Sequence, residues 1–164
     1  MPIRPLLSLA GGLLVSCASS FLLAPPPAAA EELLYNLETT CSLRGGDPQP
    51  CTVEAVDEGS ATLYRHRIGT TTETIRITDQ PIRMTRWLEP SKEWRSLTTA
   101  GARFSANTIC FNGLDLCVVN PNYLNSVQEE SPAAMADRDL VRVHFGSDGR
   151  VNITCYDEGC EVID

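Results

Sequence analysis

Of the seven cysteines in this 164-residue chain, six fall as near neighbours: Cys41 with Cys51, Cys110 with Cys117, and Cys155 with Cys160. Each pair brackets turn-forming residues: Gly45-Gly46-Asp47, Asn112-Gly113 and Asp157-Glu158-Gly159. A disulfide closes over so short a loop only when the flanking segments lie side by side. The spacing therefore predicts sequential pairing, three crosslinked hairpins rather than staples between distant parts. By loop-closure entropy such rings stabilise by roughly 2–3 kcal/mol each. There is no Cys-x2-Cys knuckle and only two histidines are present, so the cysteines are not read as metal ligands, and no cofactor is expected.

Disulfides call for an oxidising compartment, and the N-terminus supplies a route to one. Arg4 is the only charged side chain before Glu31; an apolar run spans Leu6 to Ala24, and Pro25-Pro26-Pro27 then leads to the small residues Ala28-Ala29-Ala30. That order predicts a signal peptide over residues 1–30, with a mature chain from Glu31. Leu14-Val15-Ser16-Cys17 is a rival processing site that would leave Cys17 as a lipid anchor. Both routes remove Cys17 from the disulfide count. Export places the protein in the periplasm or outside the cell. No second apolar run long enough to cross a bilayer follows.

The remaining 134 residues read as a single domain, 31–164, whose hydrophobic pattern alternates with period two, the signature of half-buried strands. Predicted strands cover Cys51–Val56, Ala61–Ile68, Thr74–Thr78, Ile82–Arg86, Thr108–Phe111 and Leu116–Val119. A C-terminal hairpin from Val141 to Cys155 turns at Ser147-Asp148-Gly149. A type II′ turn on Gly113-Leu114 sets Cys110 opposite Cys117, with a longer loop as the alternative. Asn120-Pro121 and Ser131-Pro132 each join an N-cap residue to a proline suited to the first helical position, so two short helices are expected. Residues Leu33 to Leu43 fit either a strand or a helix face. The fold class expected is mainly β: an antiparallel meander forming a small barrel or sandwich, with one or two short helices and three local disulfides.

The formal net charge of −8 disfavours a general nucleic-acid binder, yet the charge is unevenly spread. Residues 31–59 hold one base against seven acids, 60–109 eight bases against four acids, and 110–164 three bases against ten acids. Eleven of the twelve bases beyond residue 30 are arginines, whose planar fork suits carboxylate, phosphate or sulfate. Arg65, Arg67, Arg76, Arg83, Arg86 and Arg95 are therefore candidates for an anion-binding face. The alternative is that they pair with acids of the flanking segments. Trp87 and Trp94 flank a turn and can meet across a hairpin, as a sugar platform or as a packing pair, with Tyr64 and Arg103 as candidate neighbours.

Chemistry is harder to find. There is no Gly-x-Ser-x-Gly elbow, His-Glu-x-x-His, phosphate loop or dinucleotide fingerprint, which leaves a hydrolase reading resting on His66 or His144 alone. Asp157, Glu158, Glu161 and Asp164 lack the spacing of a calcium loop and read as a solvated tail. Asn152-Ile153-Thr154 is a formal glycosylation sequon.

The stretches Tyr64-Arg65-His66-Arg67-Ile68-Gly69, Cys110-Phe111-Asn112 and Cys117-Val118-Val119-Asn120-Pro121-Asn122-Tyr123-Leu124-Asn125 resemble a group of small exported cyanobacterial proteins. The resemblance implies a photosynthetic bacterial source, with the thylakoid lumen as a further compartment, and carries over no activity and no functional residue. The expected function is that of a non-enzymatic envelope protein engaging an anionic glycan or protein through its arginine-rich centre. An inhibitor or protein-binding module acting through an exposed loop at Asn120–Glu130 is the second reading, and a hydrolase the third.

Overall fold

A computed structural model describes residues 31–163; the expected signal segment, Cys17 and Asp164 lie outside the described residues. Among the described residues, twelve strands form one antiparallel sheet. The first five are β1 (Glu32–Leu43), β2 (Gln49–Asp57), β3 (Thr62–Ile68), β4 (Thr71–Asp79) and β5 (Ile82–Leu88). Four shorter ones follow: β6 (Glu93–Ser96), β7 (Thr99–Arg103), β8 (Thr108–Phe111) and β9 (Leu116–Val119). Helices α1 (Pro121–Glu130) and α2 (Pro132–Met135) precede β10 (Leu140–Phe145), β11 (Val151–Tyr156) and β12 (Gly159–Val162). The spatial order is β12-β11-β10-β7-β8-β9-β1-β2-β3-β4-β5-β6.

The ambiguous segment at residues 33–43 is a strand. Tyr35, Leu37, Thr39 and Cys41 turn to the more buried side while Asn36 and Glu38 are exposed. Nine ladder positions against β2 and three against β9 hold it extended. The three disulfides are Cys41–Cys51, Cys110–Cys117 and Cys155–Cys160, each within one hairpin. Cys110 faces Cys117 across the ladder as expected, but the connection is the longer loop. The last pair is Phe111 with Leu116, and Asn112 and Gly113 both take the left-handed backbone (φ 47° and 73°), which these residues tolerate best.

The mainly β, antiparallel fold is as expected; the sheet is not closed, so of the barrel or sandwich expected the barrel does not form. β6 pairs with β5 alone, all four of its residues are exposed, and the chain then leaves through Leu97 and Thr98 to enter the other half of the sheet as β7. The two halves nevertheless share one core. Val53, Ile75, Ile77 and Met84 from β2, β4 and β5 cluster with Ala100, Ile109, Phe111, Leu116 and Val118 from β7, β8 and β9.

Helix α1 begins where the sequence places it. The Asn120 side chain accepts the Tyr123 amide at 3.1 Å, and Pro121 occupies the first turn. Asn120 is only 2% exposed and also bonds the Tyr35 hydroxyl through both Oδ1 (3.2 Å) and Nδ2 (3.1 Å). An Asn120→Ala variant loses the cap and strands a half-buried phenol, so it is expected to unfold with about 2 kcal/mol less free energy, measured by urea denaturation. Asn120→Asp, which keeps the cap acceptor, should lose less.

Candidate functional site

Ladder partners share a face of a sheet, and neighbours along a strand alternate between faces. Arg65 pairs with Glu54 and Thr74, Arg67 with Thr52 and Thr72, Arg76 with Leu63 and Thr85, Arg83 with Thr78, and Trp87 with Trp94. Arg65, Arg67, Arg76, Arg83, Trp87 and Trp94 therefore lie together on the outward face of β3 to β6. Arg86 does not. It pairs with Ile75, in phase with Met84, and so belongs to the core-facing side, as does its partner Arg95. There Arg86 forks onto Glu73, with Nε to Oε2 at 2.8 Å and Nη2 to Oε1 at 2.7 Å, and Asp115 stands 3.6 Å away. That bidentate pair at the rim of the core is structural.

The outward arginines are partly neutralised by acids from the residue before β1, from β2 and from the β2–β3 turn. Arg65 is held between Glu54 (2.9 Å) and Glu31 (2.8 Å), and Arg67 meets the other oxygen of Glu54 at 3.0 Å. The hydrogen bond from Arg65, supported by Arg67, holds the Glu54 carboxyl below the usual carboxylate range. Arg76 Nε is buried 3.2 Å from Glu58 but is not aligned to donate to it. Neither terminal nitrogen of Arg76 bonds to protein among the described residues, and the side chain is 39% exposed. Arg83 is exposed and has no carboxylate within 4.0 Å among the described residues. Arg95 pairs only with its near neighbour Glu93, at 3.0 Å.

Beside these cations the two indoles meet, their centroids 5.3 Å apart and planes tilted by 59°. Trp87 Nε1 donates to Glu89 at 3.2 Å. The Arg76 guanidinium stands 5.7 Å from the Trp94 ring centre, within cation–π range. Tyr64 and Arg103 are not part of this group. Tyr64 packs edge-on against Tyr123, their centroids 5.5 Å apart, and Arg103 pairs with Asp139 at 2.8 Å.

The segment Asn120–Glu130 is not an exposed loop. It is helix α1, initiated by the Asn120 cap, with Leu124 1% exposed. His66 is equally enclosed, at 1% exposure. Its Nδ1 lies 3.1 Å from the Glu73 carbonyl, which can only accept, so Nδ1 carries the proton. Burial lowers its pKa to about 4, which makes it a neutral packing residue with Phe111 against its ring. The cavity it lines with Tyr64, Asn120 and Tyr123 is about 10 Å³, too small for a substrate. His144 is half-buried in β10 opposite Ile153 and Thr99. An open hollow of about 270 Å³ between the β2–β3 and β4–β5 turns is lined by Gly59, Ser60, Ala61, Thr62, Asp79 and Gln80, with no histidine, lysine or arginine among them.

The C-terminal acids organise the end of the sheet. Asp157 accepts the amides of Asp139 (2.8 Å) and Leu140 (3.0 Å), which hold its carboxyl below the usual range, and Glu158 meets Arg138 at 2.9 Å. No set of three His, Cys, Asp or Glu side chains that could hold a metal occurs among the described residues. None of their helices is long and apolar enough to cross a membrane.

Glu58, Thr85 and Ser96 are the residues of this face that the sequence pattern alone leaves unmarked. Thr85 lies opposite Arg76 and between Arg83 and Trp87 along β5, and Ser96 lies opposite Thr85 on β6. Parity with Arg83 and Trp87 along β5 is the signal that could have found Thr85, and parity with Trp94 the signal for Ser96. In comparisons with protein-family models, curated proteins and solved structures, no match to the chain was found.

Proposed function

We propose that this chain is an exported, non-enzymatic binding protein that takes an anionic ligand on the outward face of β3 to β6. The observation that carries the reading is the shared face: six separate candidate residues, spread over four strands, converge on it by ladder register. Three crosslinked hairpins support an oxidising compartment. On this face the charge available to a ligand is that of Arg83, the outer nitrogens of Arg76 and the half-exposed Arg67. Arg65 is engaged on both sides by carboxylates.

The protein is expected to be retained on a sulfonate matrix at pH 7 and low salt despite its acidic composition, eluting as salt screens the arginines. An Arg67→Gln, Arg76→Gln, Arg83→Gln variant should pass through unretained. Equal retention of the variant, or no retention of the native chain, overturns the reading.

A further inference from the structure

Resting on that reading, we infer that the β4–β6 part of this face is a subsite for an acidic polysaccharide: one pyranose ring lies on Trp94, and the carboxylate or sulfate groups of the chain are held by Arg76 and Arg83. Trp94 sits on the edge strand β6, where the sheet ends, and is 37% exposed. Its partner Trp87 has its indole N–H satisfied by Glu89, whereas Trp94 Nε1 makes no hydrogen bond among the described residues. An exposed indole with a free donor, held at a fixed tilt by a second indole, offers an apolar surface and a polar tip to a sugar ring.

The surroundings favour a sugar over other anions. Nucleic acids bind along continuous basic grooves. Here the cations are interspersed with acids and hydroxyls: Glu58 beside Arg76, Thr85 opposite Arg76 and between Arg83 and Trp87 along β5, Ser96 opposite Thr85 on β6, and Glu89 beside Trp87. An acidic sugar carries, beside its anionic group, hydroxyls that both donate and accept, so it can use the carboxylates and hydroxyls of this face as well as its cations, whereas a bare phosphate offers acceptors alone.

Spacing favours a polymer over a single sugar. Arg76 approaches the Trp94 ring, so ring and charge can be met on one sugar unit. Arg83 lies four residues before Trp87 on β5, about 13 Å away by strand rise, and so meets a charge further along the chain than the unit on the indole pair.

Both tryptophans of the chain belong to this pair, so intrinsic tryptophan fluorescence reports on the site alone. Titration at low salt would use an oligogalacturonate (carboxylate), a chondroitin sulfate hexasaccharide (sulfate as well), cellohexaose (neutral) and oligo(dT). At least one acidic oligosaccharide should change the emission and bind tenfold or more tighter than cellohexaose, and which one does so identifies the anion. By calorimetry Trp94→Ala should weaken that binding at least tenfold, Trp94→Phe should restore most of it, and Arg83→Gln should flatten its salt dependence. Near-UV circular dichroism of Trp94→Phe checks the hairpin. Binding by Trp94→Ala within twofold of the native chain overturns the sugar subsite and leaves the anion-binding reading standing. Equal binding of cellohexaose or of oligo(dT) overturns the acidic-polysaccharide assignment. Absence of binding by every acidic probe, together with no retention on the sulfonate matrix, overturns both.

Discussion

Replacing Leu97 with alanine is expected to lower the free energy of unfolding by about 2–5 kcal/mol, the range for a buried leucine whose surroundings cannot collapse. Leu97 is 2% exposed and belongs to the same apolar cluster as Met84, Ala100 and Phe145. It occupies the joint of the fold. Its amide donates to the Met84 carbonyl at 2.9 Å, ending the β5–β6 ladder, while the next carbonyl, that of Thr98, accepts the Phe145 amide at 2.9 Å in the other half of the sheet. Backbone hydrogen bonds pull on both sides of the gap left by truncation, which limits relaxation into it. Urea denaturation should show one transition at a lower midpoint. Val162→Ala, at a position 74% exposed, should change stability by no more than about 0.5 kcal/mol. A Leu97→Ala loss below about 1 kcal/mol would mean that the two halves of the sheet do not share a tight core.

Mild acid should weaken the fold through His66. In the folded chain burial holds its pKa at about 4, against about 6.5 when unfolded. The unfolded state therefore binds the extra proton first as pH falls, and stability rises with pH across the window from 4 to 6.5. Loss begins below about pH 6.5, reaches about 2 kcal/mol by pH 5, and approaches about 3 kcal/mol at pH 4, where the folded imidazole also protonates. No carboxylate lines the cavity beside the ring to offset the charge, and Tyr64 and Tyr123, both raised above the ordinary phenol value by burial, stay neutral throughout. The carboxyls that the fold holds below their usual range, Glu54, Glu89, Asp139 and Asp157, lose their contribution only at lower pH, once they protonate. Unfolding curves at pH 7, 6 and 5 isolate the histidine. A His66→Gln variant should be less stable at pH 7 but nearly flat across that range, and an equally steep dependence in the variant would remove His66 as the cause.

Much of the sheet was legible because its strands alternate. Thr108–Phe111 and Leu116–Val119 end where the pattern ends, since a crosslink and a turn bound them. Three strands carry no such pattern. β7 reads Thr-Ala-Gly-Ala-Arg, with almost nothing bulky to alternate, and is extended because β8 and β10 pair with it on both sides. β6 and β12 have four exposed residues each, so burial leaves no trace in their composition. The candidate site divides in the same way. Parity along β5 alone separates Arg86, in phase with Met84, from Arg83 and Trp87. Which arginines are neutralised depends on Glu31, Glu54 and Glu58, brought in from ahead of β1, from β2 and from a turn by a register that local pattern does not encode.

Because each disulfide closes a ring inside a single hairpin, the covalent path of the described chain is a line carrying three small loops at 41–51, 110–117 and 155–160. A single peptide cut between residues 51 and 110, or between 117 and 155, leaves two pieces with no bond joining them, even under fully oxidising conditions. Apart from the backbone itself, the halves of the sheet are thus held to one another by the shared core and by ladders alone. A chain nicked in the exposed β5–β6 turn would behave as a two-fragment complex, separable by denaturant without any reductant and reformed only by association.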